Sequence, residues 1–398
     1  MTTERQRALD LLRRIEREKA LAAPLLAHES GFVRTLVLGV LRWRSRLDFA
    51  VRAHAKRKID DQLLDVLRIG AYQLLYMNVA KHAAVSETVD LAPKHARGFV
   101  NAVLRRVTDL EPPDLATRTA HPPWLIERWI RNYGQERAAK IAAANQELSY
   151  PDVIADAPPP DAEPSKLVPG MWKLRGSSAG VAGVVLDEGS AVIGDLAAAT
   201  SHDIVDLAAA PGGKSIVAAM RGAKVVANDI SIARLQPLRG QGTGDGGQVV
   251  PSRGHHLSPV PCPLSPHVVV SDARLPPFRT KFDTVLLDAP CSATGTIRKN
   301  PELKWRLREE DLAAFATLQR EMLASAVQLA RRYVVYSTCS LEPEENDAVV
   351  AGYERADVAD FLNGEVRRWV DDGVLRLTPE SGADGFTAFV LNIARNAT

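Results

Sequence analysis

The sequence predicts a doubly wound α/β domain with a parallel sheet, preceded by an all-helical domain. Three observations predict this arrangement. Residues 4–107 repeat apolar side chains at the three-to-four spacing of helices. Beyond residue 200, short apolar runs of strand length end in small or acidic residues. Two of the three cysteines lie in polar loops directly after such runs, where parallel sheets present their active sites.

The N-terminal helices come first along the chain. Apolar residues recur on one side of each segment, and most strongly in LLDVLRIGAYQLLY, residues 63–76. Four prolines in 109–123 indicate a connector, and 151–183 is rich in Pro, Ala and Gly. The predicted helices of this half span Arg7–Ile15, Phe32–Ala50, Leu63–Tyr76, Ser86–Val107 and His121–Gln146.

Charge is unevenly distributed. The net charge is +2, yet residues 1–107 carry 20 Lys/Arg against 11 Asp/Glu, and the remainder carries 30 against 37. A basic helical domain joined to an acidic one favours a polyanionic partner, although a solvated helix surface gives the same count. The candidates for phosphate contacts are Arg42, Arg44, Arg46, Arg105 and Arg106.

Composition excludes several classes of protein. With 398 residues, 46% hydrophobic and 25% charged, the chain has the make-up of a soluble protein of two or three domains. No apolar run approaches the roughly 20 residues of a membrane helix, and the charged start lacks a signal-peptide core. Three cysteines predict no disulfide framework and favour the reducing cytoplasm.

The segment Asp203–Ser215, DIVDLAAAPGGKS, is a buried strand that breaks at Pro-Gly-Gly. Its glycines let the backbone approach a ligand, and a helix from about Ser215 directs its positive end toward that ligand. The pattern nearly matches a phosphate-binding P-loop, but a P-loop needs Gly where Ala208 stands. A P-loop nucleotide hydrolase therefore remains a disfavoured alternative.

Acidic residues end the next three apolar runs. Asp229 ends a run at 225–229, Asp272 follows the run at 268–270, and Asp288 ends VLLD. An acid at the tip of the strand after the glycine turn suits a ribose hydroxyl pair. Each acid singly is also what a helix N-cap or a turn uses.

The two cysteine loops are Val285–Trp305, VLLDAPCSATGTIRKNPELKW, and Val334–Asn346, VVYSTCSLEPEEN. A thiolate is a strong nucleophile, and an acid followed by Pro-Cys suits the binding and activation of an electron-poor ring. Two buried structural cysteines are the alternative interpretation of Cys291 and Cys339.

Together these segments resemble the ordered motifs of the Sun/RsmB-type RNA cytosine-5 methyltransferases. DAPCSATGTIRKNPELKW is similar to the motif that binds the substrate base, and YSTCSLEPEEN to the motif of the catalytic cysteine. LDEGS at 186–190 and DGFTAF at 384–389 resemble flanking elements of the same domain, and FVNAVLRR at 99–106 resembles a NusB-like RNA-binding domain.

The resemblance implies three regions. An all-α NusB-like domain at 1–108 is followed by a linker and a small, truncated subdomain at 109–183. A Rossmann-like domain that depends on S-adenosylmethionine (SAM) then occupies 184–398. The implied activity is methylation of carbon 5 of a cytosine in small-subunit (16S) ribosomal RNA by a monomer that acts on RNA and not on DNA.

The resemblance also implies the catalytic roles. Cys339 is the nucleophile that attacks carbon 6, Asp288 binds the base near N3 and its amino group, and Cys291 helps to remove the carbon-5 proton. Lys304 and Arg298 are expected to meet RNA phosphate.

For the cofactor, the resemblance places Asp229 on the SAM ribose and Asp272 near the adenine. Lys214 is expected to lower a cysteine pKa or to orient Asp288. The implied SAM-binding residues are Ala208, Ala209, Ala210, Pro211, Gly212, Gly213, Lys214, Asp229, Asp272 and Asp288.

Residues 235–266 depart from the pattern, with six glycines, six prolines and one acid in 32 residues. This composition cannot form the ordinary helix expected there, and Cys262, His255 and His256 within it receive no role. A non-catalytic RNA-binding or ribosome-assembly factor with an impaired SAM site is therefore the alternative. A DNA methyltransferase is disfavoured because that class uses the Pro-Cys cysteine as nucleophile and lacks the Thr-Cys-Ser segment.

Overall fold

The computed structural model describes residues 3–176, 178, 180–235, 238 and 266–394. The chain divides into two compact units. The first comprises Met1–Leu148 with Ile297–Glu309, and the second comprises Ser149–Thr296 with Glu310–Thr398. Residues 109–148, which follow the predicted boundary at 108/109, group with the N-terminal helices in the first unit. Within the first unit, for example, Arg46 donates to the Asp109 carboxylate at 2.8 Å and to the Arg118 carbonyl at 3.2 Å.

The helices of the first unit that lie before residue 108 surround one apolar core. Several helices begin at a side chain that accepts a hydrogen bond from the backbone three residues later, as Thr3, Ser30 and Asp60 do. Its helices are α1 Glu4–Glu18, α2 Ala22–Leu26, α3 Gly31–Arg52, α4 Asp61–Tyr76, α5 Lys81–Val89, α6 Arg97–Leu104, α7 Leu115–Arg118, α8 Pro123–Tyr133 and α9 Gln135–Ala144, with a further short helix at Leu303–Arg306.

The helix predicted over Ser86–Val107 is divided. Helix α5 ends at Val89, and α6 begins only at Arg97. Pro93 lies between them, and its missing amide hydrogen and fixed φ do not allow a helix to continue through it.

The helix predicted over His121–Gln146 is also divided, between α8 and α9. Gly134 separates the two at φ 79°, a left-handed conformation that glycine adopts readily and that ends a helix. Trp129 of α8 is fully buried.

The second unit begins with a small antiparallel sheet in the order β2-β3-β1-β4. Among the described residues between 151 and 186 there is no helix, so the small subdomain expected here consists of short strands and turns. The strands are β1 Asp152–Ile154, β2 Glu163–Pro164, β3 Met171–Lys173 and β4 Val184–Leu186.

A nine-stranded sheet forms the rest of the second unit, in the order β11-β12-β13-β9-β8-β5-β6-β7, with β10 paired to β13. Strands β5 to β9 are parallel to their neighbours in that group, and β13 is antiparallel to β9. The strands are β5 Asp203–Asp206, β6 Lys224–Asp229, β7 His267–Val270, β8 Phe282–Asp288, β9 Ala330–Thr338, β10 Arg355–Ala356, β11 Val370–Asp371, β12 Val374–Leu377 and β13 Phe386–Asn392.

Helices cover both faces of the large sheet. Ile204 of β5 packs with the cluster that includes Val217, whereas the next residue, Val205, packs with the cluster of Met322 on the opposite face. This alternation confirms the predicted doubly wound arrangement. Because β5, β6, β8 and β9 are parallel, their ends lie at one edge of the sheet. The helices of this unit are α10 Glu188–Thr200, α11 Gly213–Met220, α12 Asp311–Leu329 and α13 Asp347–Val350.

Residues 235–266, where a helix was expected, lie mostly outside the described residues, as do Cys262, His255 and His256. In the described part of the chain, no helix combines the length and apolar character needed to cross a membrane.

Candidate active site

The glycine turn lies between β5 and α11. Gly212 has φ 114°, and a Cβ there would overlap the Leu238 side chain, so this position requires glycine. Helix α11 then begins at Gly213, two residues earlier than expected. The turn is held to β6 because the Ala209 amide donates to the Asn228 carbonyl at 2.8 Å.

Asp229 is buried at the tip of β6, next to the glycine turn. Its Oδ2 accepts a hydrogen bond from the Ala210 amide at 3.2 Å, and its Oδ1 accepts one from the Ser231 amide at 3.0 Å. The structure therefore places Asp229, at the tip of β6, beside the glycine turn, as the sequence predicted.

Asp272 lies just after β7 and is partly exposed. Arg274 donates to it from its side chain at 2.7 Å and from its backbone at 2.9 Å, and these bonds lower the pKa of Asp272. Asn228 connects this region to the turn, since its Nδ2 donates to the carbonyls of Leu207 and Ser271.

Lys214 and Asp288 form an ion pair. Lys214 Nζ lies 2.8 Å from Asp288 Oδ2, and Ser337 Oγ donates to Asp288 Oδ1 at 2.8 Å. Burial acts to lower the pKa of Lys214, but the Asp288 charge and hydrogen bond outweigh it, so the pKa of Lys214 is raised and the side chain stays charged. The expectation that Lys214 orients Asp288 is consistent with this geometry.

The two cysteines meet at the sheet edge, although 48 residues separate them in the chain. Their Sγ atoms lie 3.3 Å apart. The hydrogen bond with Cys339 and then burial raise the pKa of Cys291 well above its ordinary value. Both side chains keep partial exposure.

Sequence reasoning missed two buried acids of this region. Asp206, the last residue of β5, accepts a hydrogen bond from Ser215 Oγ at 2.7 Å, and burial foremost raises its pKa to about 7. Glu345 accepts hydrogen bonds from the serines that follow the two cysteines. The signal for Asp206 was its place at the end of the strand before the glycine turn; no local pattern indicates the partners of Glu345.

The structure contradicts the prediction that the side chains of Lys304 and Arg298 contact RNA phosphate. Lys304 is 1% exposed inside the first unit, where Nζ donates to the Arg42 carbonyl at 2.9 Å, and burial lowers its pKa well below the ordinary value. Arg298 is also buried, and its carbonyl accepts a bond from Arg42 at 2.8 Å.

The other arginine candidates differ in their surroundings. Arg42 is buried and cannot reach a phosphate, which corrects its prediction. Arg46 is mostly covered and paired with Asp109, whereas Arg44 lies 2.6 Å from Glu16. Arg105 and Arg106 are exposed at the end of α6, so they remain candidates for phosphate contacts.

Comparisons with known proteins point to one class. The family model for 16S rRNA methyltransferase RsmB/F matches residues 195–387, and the NusB family model matches residues 2–109. The crystal structure of PH0851 has the same fold, with a TM-score of 0.69 and 22% identity over 98% of both chains. Fold and site thus define a SAM-dependent RNA methyltransferase with an N-terminal NusB-like domain.

Curated relatives narrow the class to a family. The ribosomal RNA small subunit methyltransferase B of Sodalis glossinidius is 31% identical over 410 residues, which cover 92% of this chain and 90% of the relative. The protein of the same name from Vibrio cholerae is 30% identical over 408 residues, with 92% and 89% covered. The chain belongs to the RsmB/F family of 16S rRNA methyltransferases.

The residues at the sheet edge fit SAM. The α11 N-terminus has backbone amides that suit a carboxylate, and the strand-tip carboxylate of Asp229 suits a ribose diol. Asp206 has one buried carboxylate oxygen without a hydrogen-bond partner among the described residues, which suits an ammonium group. The described residues contain no group of three or more His, Cys, Asp or Glu able to hold a metal ion.

Proposed function

We propose that the protein methylates carbon 5 of a cytosine in small-subunit ribosomal RNA through a covalent bond between Cys339 and carbon 6 of the base. Residues 1–108 contribute RNA binding, 109–183 link and support, and 184–398 carry the chemistry. SAM supplies the methyl group when bound along the turn at 208–214, with Asp229 at its ribose and Asp272 toward its adenine.

The contact between the Cys291 and Cys339 sulfurs, 3.3 Å apart, carries this proposal. Carbon 5 of cytosine is a weak nucleophile, and addition of a thiolate at carbon 6 turns the ring into an enamine-like species that reacts at carbon 5. The ring must then lose the carbon-5 proton before the enzyme is eliminated. Two adjacent thiols supply a nucleophile and a base at one ring.

The electrostatics of the pair favour Cys339 as the nucleophile. Because the hydrogen bond with Cys339 and burial raise the pKa of Cys291, Cys291 keeps its proton at neutral pH. This leaves Cys339 as the nucleophile, and its thiolate would interact favourably with the Lys214 charge.

The effect of Cys339 on the pKa of Cys291 also explains how Cys291 can later act as a base. Once Cys339 is bonded to carbon 6, its hydrogen bond and its negative charge no longer act on Cys291. The pKa of Cys291 then falls toward its ordinary value, so its thiol can release its proton to solvent, and the resulting thiolate accepts the proton from carbon 5. Breaking of the bond between Cys339 and carbon 6 restores the aromatic ring and frees the enzyme.

Asp288 is suited to hold the base. Ser337 and Lys214 each donate to one of its oxygens, which fixes its orientation. A carboxylate has lone pairs beyond those two bonds, so it can accept from the cytosine amino group and from a protonated N3 as the adduct forms.

The base must leave its stack to reach this edge. Extrusion from a duplex costs a few kcal/mol, so a single-stranded or loop cytosine is the favoured target. The exposed Arg105 and Arg106 support binding of the RNA phosphates.

Two measurements test the proposal. Bisulfite sequencing of 16S ribosomal RNA should reveal a cytosine that is protected with the wild-type gene and unprotected with Cys339→Ala. In vitro, Cys291→Ala should accumulate a protein–RNA species that survives denaturing electrophoresis, and the double variant should lose it. An adduct in Cys339→Ala instead would reverse the roles, and absence of SAM binding by calorimetry would favour the ribosome-assembly factor.

A further inference from the structure

Glu345 is a buried carboxylate that connects the two cysteine loops. It lies in the short turn Pro343–Glu345 after β9 and has 0% exposure. All four of its hydrogen-bond donors are uncharged. Oε1 accepts from the Ser292 amide at 2.8 Å and from Gln319 Nε2 at 3.1 Å, and Oε2 accepts from the hydroxyls of Ser340, at 2.5 Å, and Ser292.

These donors are placed directly beside the thiols in the chain. Ser292 follows Cys291, and Ser340 follows Cys339. The two hydroxyls also lie 3.0 Å from each other, so the carboxylate and both serines form one closed network. Any movement of one cysteine loop relative to the other must therefore break bonds to the same carboxylate.

The network is itself fixed by the surrounding structure. Gln319 of α12 donates to Glu345 and also to the Pro290 carbonyl at 2.9 Å, immediately before the first cysteine. The hydroxyl of Tyr336 donates to the Glu345 backbone carbonyl at 2.6 Å. Glu345 is thus held through its carboxylate by α12 and through its backbone by β9, and its carboxylate connects both elements to the cysteine loops.

We propose that Glu345 is a positioning residue that sets the distance between the Cys291 and Cys339 thiols. The inference rests on the proposed function, in which one thiol bonds to carbon 6 and the other serves at the adjacent carbon 5. A four-donor carboxylate is well suited to this task, because a carboxylate only accepts and has about four lone-pair sites.

The first test measures the thiol distance without methylation. In a Cys262→Ala background only two cysteines remain. Diamide oxidises two neighbouring thiols to a disulfide by taking up their two protons and two electrons to become a hydrazine. Wild-type pairing should be fast, and Glu345→Ala should slow it by about 10-fold or more, since misplacement by about 1 Å has large effects on the reaction of paired groups.

The second test compares the effect of the substitution on kcat with its effect on KM. Glu345→Ala should lower kcat about 100-fold while KM for RNA and SAM changes less than about twofold, because its contacts lie at the thiols and not at a ligand. Glu345→Gln should recover part of both readouts, since the serine hydroxyls can rotate to accept from the amide. Glu365→Ala, an exposed carboxylate of the same unit, is the matched control and should match wild type.

The outcomes are distinguishable. Disulfide formation at the wild-type rate in Glu345→Ala would overturn the positioning role, whatever the activity. If Glu345→Ala fails to fold, the Ser292→Ala/Ser340→Ala variant removes the same bridging hydroxyls, and wild-type pairing there would also overturn it. Slowed pairing in a protein that never methylates ribosomal RNA would retain the positioning role and refute the proposed function.

Discussion

Replacement of Asp206 with Asn should remove a pH-dependent loss of folding stability. Asp206 is fully buried, and burial foremost raises its pKa to about 7 from 3.8; the Asp288 charge raises it further, against the hydrogen bond from Ser215 and the Lys214 charge. The folded protein therefore holds this proton at pH values where the unfolded chain has released it. Stability falls as pH rises from about 4 to about 7, and the loss is complete above that range.

The size of the effect follows from the shift. One pKa unit corresponds to about 1.4 kcal/mol, so the shift to about 7 corresponds to about 4 kcal/mol between the two ends of the window. Asp206→Asn keeps a carbonyl for the Ser215 hydroxyl and cannot ionise. The variant should match wild type below about pH 4 and exceed its unfolding free energy by about 2–4 kcal/mol at pH 8.

Urea denaturation at a series of pH values measures this difference, with tryptophan fluorescence and circular dichroism as separate probes. Asp203→Asn is the matched control on the same strand, because Asp203 is 42% exposed and pairs with Arg331 at the surface. Its stability should follow the wild-type pH profile. Parallel pH profiles for wild type and Asp206→Asn would refute the argument and show that Asp206 titrates near its ordinary value.

Three further predictions concern the ligands and the first unit. Asp229→Ala should weaken SAM binding by about 1–3 kcal/mol in calorimetry, and unchanged affinity would remove Asp229 from the site. Charge reversal at Arg105 and Arg106 should weaken RNA binding and flatten its salt dependence, whereas equal salt slopes would assign these side chains no phosphate contact. Lys304→Ala should lower the unfolding free energy by about 2 kcal/mol and leave the salt slope of RNA binding unchanged. A reduced slope would return Lys304 to the RNA surface.

Much of the second unit was predictable because its signals are local. A buried strand that breaks at Pro-Gly-Gly specifies a turn for steric reasons, and Gly212 at φ 114° is the residue that requires it. Short apolar runs that end in acids predicted the strand tips at Asp229 and Asp288. The exact helix limits were less predictable, since Pro93 and Gly134 each divide a segment whose apolar spacing continues past them.

Side-chain partners were not predictable in the same way. Lys304 and Arg298 stand in a polar stretch that resembles an RNA-binding surface, yet both are buried in the first unit. A lysine has a long apolar stem, so it can be covered when a backbone carbonyl accepts its hydrogen bond, as the Arg42 carbonyl does for Lys304. Only the packing of residues 297–309 against distant helices decides which outcome occurs.

The sequence by itself determined the helical first half, the parallel strands, the glycine turn and the presence of two cysteines in strand-end loops. Tertiary structure alone decided that Cys291 and Cys339 come within 3.3 Å, and that Glu345 binds the serine after each. The physical reason is the separation along the chain over which each kind of interaction acts. Backbone preference and apolar period act over a few residues, whereas burial and hydrogen bonding join groups that lie about 50 residues apart and meet only when β8 and β9 pair.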